Sequence, residues 1–149
     1  MHRWFRDCRK TYNIALEYVK KQEWDKRAFL LSPEFKPKEL KSHLQKLFVS
    51  VNGIREHKKR YLLLRTPKVP RQQMIYSLVS SLQAQKTKLL KRIHIEENYP
   101  DAKCLKKPFK LNMKFKDRKN WTNDCISFDK ASVKMLDDKR SFSLYPHVD

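Results

Sequence analysis

Apolar residues return every three or four positions along three stretches of the chain, and along a fourth they return every two. The longest helical stretch runs from Thr66 to Ile93. Met74, Ile75, Leu78, Val79, Leu82, Leu89, Leu90 and Ile93 fall there on one stripe at about 3.6 residues per turn. Thr66 before Pro67 and Val69 before Pro70 mark its start, because first-turn amides have no intrahelical acceptor and a proline costs little there. A helix from Arg71 to Ile93 is roughly 35 Å long, enough to serve as a spine. Its polar side passes from Gln72, Gln73, Gln83 and Gln85 to Lys86, Lys88, Lys91 and Arg92, so positive charge gathers where the helix dipole favours it. From Arg3 to about Trp24, the residues Trp4, Phe5, Cys8, Tyr12, Ala15, Leu16 and Val19 keep the same spacing and predict a first helix. Pro37 can open another, carrying Leu40, Leu44, Leu47, Phe48 and Val51 and ended by Asn52 and Gly53, which tolerate left-handed dihedrals. Tyr61 to Leu64 is too short to assign and reads as a connector.

After a turn-rich basic link, Asn98 to Pro108, the period changes to two. Phe109, Leu111, Met113 and Phe115 alternate with Lys110, Asn112, Lys114 and Lys116, which predicts a half-buried strand with three lysines on its outer face. Cys125 to Phe128, Ser132 to Leu136 and Arg140 to Tyr145 are shorter strand candidates, with turns at Asp129 to Ala131 and Asp137 to Lys139. The pattern predicts an α+β chain. A helical lobe of about three helices over residues 1–100 is followed by a small antiparallel sheet, a partial barrel, over residues 101–149.

Charge adds a partner to this picture. The net charge is +19 and the pI near 10.0, which repels itself strongly unless a polyanion neutralises it, and nucleic acid is the commonest polyanion. A solvated lysine-rich surface is the competing reading. The 40% of hydrophobic residues argues against a disordered basic tail. With Gly53 as its one glycine, the chain has no phosphate-binding glycine loop and no dinucleotide fingerprint. Cys8, Cys104 and Cys125 are odd in number and far apart, which fits a reducing intracellular compartment, nucleus or nucleoid if DNA is bound. No apolar run approaches the roughly 20 residues of a membrane span, so no membrane is expected as a partner.

The candidate nucleic-acid contacts are Lys110, Lys114 and Lys116 on the strand, Arg118 and Lys119 at its end, and Lys86, Lys91 and Arg92 on the long helix. Lysine is a mobile point charge suited to phosphates rather than to base edges. Tyr99, Trp121 and Tyr145 can stack on bases, although isolated aromatics more often belong to a core. Asp137 and Asp138 read as a hairpin turn, not as a nuclease metal site. The five histidines lack ligand spacing, and Ser77, Ser80 and Ser81 lack any nucleophile setting. No catalytic residue, metal or cofactor is expected.

Three stretches, in order, resemble the N-terminal part of the TnpB, OrfB and Fanzor proteins, transposon-encoded RNA-guided nucleases. They are Arg3 to Leu16 (RWFRDCRKTYNIAL, with the pair Tyr12 and Asn13), Thr66 to Leu82 (TPKVPRQQMIYSLVSSL), and Phe109 to Lys119 (FKLNMKFKDRK) with Phe142 to Pro146 (FSLYP). The resemblance implies a recognition lobe over residues 1–99 and a wedge-like barrel over 108–148, holding guide RNA and its heteroduplex with DNA. Lys110, Lys114, Lys116, Arg118 and Lys119 would contact the guide backbone, and the first and central helices would face the duplex. The family's RuvC-like nuclease domain and zinc ribbon would follow the sheet, whereas the sequence stops at Asp149. The expectation is therefore a truncated relative that does not cut alone; a rival reading makes it an enzyme subunit on which a separately encoded nuclease part docks. The alternatives are an independent basic RNA-binding protein and a non-functional remnant.

Overall fold

The computed structural model describes residues 2–56, 66–117, 133–135 and 142–144. In chain order these form α1 (His2–Lys21), α2 (Arg27–Leu31), α3 (Pro37–Phe48), α4 (Val51–Glu56), α5 (Lys68–Asn98), a 3₁₀ turn (Lys103–Lys106), β1 (Val133–Met135) and β2 (Phe142–Leu144). The 31 residues of α5 make a rod about 46 Å long, against which α1, α2 and α3 all pack. α1 presents Cys8, Tyr12, Ala15, Leu16 and Val19 to this core, one stripe at steps of three and four. α3 adds Leu40, Leu44 and Phe48, and α5 closes the core with Ile75, Leu78, Val79 and Leu82.

Local chemistry sets the element ends. α1 stops at Glu23, whose φ of 58° places it in the left-handed region. Trp24 then donates its amide to the Val19 carbonyl at 3.0 Å and Glu23 to that of Lys20 at 3.1 Å, the pairing of a Schellman cap. The helix from Pro37 does not end at Asn52 and Gly53, as their turn preference predicts. It breaks after Phe48, and Ser50 caps a new helix, its hydroxyl accepting the Gly53 amide at 3.1 Å. Gly53 is required for closeness rather than dihedral freedom. A Cβ there would overlap the carbonyl oxygen of Lys46 and stand 2.7 Å from that of Leu47.

A buried polar lock fixes how α1 meets the start of α5. Asp7, on α1, accepts a hydrogen bond from the Thr66 hydroxyl at 2.7 Å. Arg71, fully buried, donates to the carbonyls of Thr66 at 3.0 Å and Val49 at 2.8 Å. Side-chain donors thus satisfy carbonyls that would otherwise be stranded at the helix junctions.

The structure corrects the expected α+β class: this is a helical protein. Residues 108–117 form no helix and pair with no strand among the described residues. The one ladder among the described residues joins three residues to three, Val133 to Leu144, Lys134 to Ser143 and Met135 to Phe142. A two-stranded ladder of that length makes no sheet layer. The alternation in Phe109–Lys116 arises from an extended chain lying on helices, whose backbone groups are met by side chains instead of a neighbouring strand. The Asn13 amide donates to the Lys116 carbonyl at 2.8 Å and accepts the Lys116 amide at 2.7 Å, the two-bond exchange a strand partner would provide. Gln85 of α5 donates to the Asn112 carbonyl at 3.3 Å. Met113 is buried in the helical core and Leu111 half-buried, while Phe109 and Phe115, predicted inward, are 40% and 46% exposed. The connector at Tyr61 to Leu64, the strand at Cys125 to Phe128 and both predicted turns lie outside the described residues.

Candidate nucleic-acid interface

Residues 103–117 form a strap that crosses from the far end of α5 to α1. Its first part is held by one side chain. Arg92 donates to the carbonyls of Cys104 at 2.8 Å, Leu105 at 3.0 Å and Lys107 at 3.2 Å, and its Nε lies 3.1 Å from Glu96. A planar guanidinium with five donors suits such a fork; an ammonium does not. The Phe109 ring sits 5.8 Å from the same guanidinium. Further along, Gln85 and then Asn13 take over the backbone. The strap is therefore fixed at three places by helix side chains, and five of the side chains it turns outward are lysines. Lys103, Lys106, Lys107, Lys110 and Lys114 are exposed, and none has an ion-pair partner among the described residues.

The structure does not gather all the sequence-derived contacts on one surface. Lys110 and Lys114 project from the strap. Lys116 is half-buried, its ammonium 4.7 Å from the centre of the Tyr12 ring. Arg92 lies behind the strap and is committed to its carbonyls and to Glu96. Lys86 leans over Phe35, 5.2 Å from the ring centre, about 100° around α5 from strap-facing Gln85. Lys91 is exposed beside Leu90, His94 and Ile95 on the outer end of α5. Arg118, Lys119, Trp121 and Tyr145 lie outside the described residues, as do Asp137 and Asp138. Tyr99 is 62% exposed and touches His94 edge-on at 6.5 Å.

Where the strap crosses between α1 and α5 it leaves a cleft of about 280 Å³, lined by Tyr12, Ser81, Gln85 and residues 112–116 of the strap. Tyr12 forms part of the wall, and burial raises its phenol's pKa, partly offset by a hydrogen bond with Ser81. The Phe115 ring stands at the cleft, with the Lys20 ammonium 5.6 Å from its centre. Sequence reasoning finds no nucleophile setting for Ser81, puts Gln85 on the polar side of the long helix and Phe115 on the inward face of the predicted strand, and marks none of them as a binding residue. The Tyr12–Asn13 pair and the Phe115–Lys116 pair were each visible, but their meeting across 103 residues was not.

Among the described residues no group of three His, Cys, Asp or Glu side chains is placed to hold a metal ion, and no helix is long and apolar enough to cross a membrane. Among known proteins, no family model, no curated sequence and no solved structure matches this chain.

Proposed function

We propose that the chain binds nucleic acid through its phosphates, with the strap as the contact surface. The observation that carries this reading is the strap itself: a run of exposed lysines with no ion-pair partner among the described residues, on a backbone held by Arg92, Gln85 and Asn13. Lys107, Lys110 and Lys114, three and four residues apart, would lie about 10–13 Å from one another on an extended chain, far enough for each to meet a different phosphate. Overall charge of +19 supplies the longer-range attraction.

The test is salt dependence. Log affinity against log salt should fall by about 0.9 for each duplex phosphate neutralised, or about 0.7 on a single strand. Replacing Lys107, Lys110 and Lys114 together with glutamine should flatten the slope by about two to three, with the helical content and melting temperature of the parent. An unchanged slope would move the interface elsewhere, and absence of salt-dependent binding would dispose of the reading.

Following the resemblance of its helical stretches, the proposed role is that of a targeting part of an RNA-guided nuclease system, binding rather than cutting. RNA recovered with the chain from its own cells should then share one recurrent segment. A random collection of RNAs would favour an independent basic RNA-binding protein.

A further inference from the structure

The cleft beside the strap differs in chemistry from the strap. The strap offers point charges. The cleft offers two aromatic rings, two hydroxyls and two primary amides, with the Tyr12 ring buried in its wall. Ser81 and Gln85 come from α5 and Asn112 and Phe115 from the strap, while Lys114 and Lys116 stand at the same opening. The Asn112 side chain makes no hydrogen bond among the described residues, and Gln85 uses only its Nε2, in a long contact of 3.3 Å. A primary amide carries a donor and an acceptor side by side, the pattern that matches the edge of a nucleobase. A partly exposed phenylalanine next to it supplies a stacking surface. At about 280 Å³ the cleft lies just below the roughly 300 Å³ where small-molecule pockets begin, room for one planar ring system rather than an extended ligand.

We infer that this cleft seats one unpaired base of a single-stranded nucleic acid. Phe115 stacks on the base, Asn112 and Gln85 meet its edge, and Lys114 holds the flanking phosphate. The inference rests on the strap being a phosphate surface and deepens it: the strap gives affinity without regard to strand form, and the cleft selects strands whose bases are free. A duplex cannot use it without extruding a base, at a cost of a few kcal/mol.

The experiment compares a short single-stranded oligonucleotide, the same backbone carrying abasic sites throughout, and the corresponding duplex, at several salt concentrations. The intact single strand should bind about five- to a hundredfold more tightly than the abasic one, the range for one base on one aromatic side chain. Phe115→Leu should collapse that difference. Asn112→Ala, at an exposed position, should narrow it, with thermal melts verifying that both variants are folded. Equal binding of intact and abasic strands overturns the cleft and leaves the strap standing. A difference that survives Phe115→Leu in a folded protein also overturns it, by placing base recognition elsewhere. If neither strand binds in a salt-dependent way, the strap reading falls and the cleft falls with it.

Discussion

Two buried ionisable side chains decide how the first helix meets the last, and neither sits where a charge is expected. Asp7 is 1% exposed and Arg71 fully buried. Arg71→Ala strands the carbonyls of Thr66 and Val49 and leaves a cavity, which should cost about 3–5 kcal/mol, much of a small protein's stability. Chemical denaturation would measure this; a loss under about 1 kcal/mol would mean that water satisfies those carbonyls. Beside them, burial pushes the Cys8 thiol from 9.0 up to about 12, with the Asp7 charge adding and Arg71 partly opposing. A raised thiol pKa means that the unfolded chain loses this proton first. The contribution is intact below about pH 9 and is lost as pH rises from there towards 12. In the native protein at neutral pH, a thiol reagent should label exposed Cys104 and spare Cys8 until denaturant is added. Equal labelling rates, read by peptide mass, would contradict the burial. Sequence reasoning placed Cys8 on the apolar stripe and gave Asp7 and Arg71 no role, because hydropathy patterning carries no signal for a polar group satisfied from within.

Among the elements, the helices were the legible part, because three- and four-residue spacing needs no knowledge of the partner. Their ends were less so. Asn52 and Gly53 have turn preferences in isolation, yet Ser50 and the tight corner at Lys46 and Leu47 override them. Gly53→Ala should therefore destabilise by about 1–3 kcal/mol through backbone overlap, well beyond its gain in helix propensity. Glu23→Gly should act in the opposite sense. It removes a left-handed non-glycine residue from the α1 cap and should raise stability by about 0.5–1 kcal/mol, visible as a higher melting temperature. The strand was misread because a period of two reports an extended chain and says nothing of what pairs with it. Asn13 and Gln85 stand in for the missing strand, one for each end of the Asn112–Lys116 run. Arg92 does likewise for the 3₁₀ turn. Arg92→Lys should therefore speed tryptic cleavage after Lys103 and Lys106, since one ammonium cannot serve three carbonyls. Unaltered cleavage there would return Arg92 to the list of available phosphate contacts.

At the scale of the whole molecule, the sequence indicated a basic surface but not its layout. Lys110 and Lys114 share the strap, whereas Lys86 and Lys91 face other directions and Arg92 is spent internally. The cleft could not be anticipated, because Ser81, Gln85, Asn112 and Phe115 come from segments whose approach depends on the Asn13–Lys116 closure.

The partnership of α1 with α5 also bears on how the chain is made. α1 leaves the ribosome well before α5, the helix that covers its apolar face and that begins at Lys68. At about 5–20 residues per second, the nascent chain carries that face uncovered for roughly three to twelve seconds before the middle of α5 is synthesised. Throughout this interval it presents a stripe containing Cys8, Tyr12, Leu16 and Val19 flanked by basic residues. Such a segment suits a chaperone that grips apolar, positively charged nascent peptides. It also sets a penalty on any pause in translation between the codons for α1 and α5.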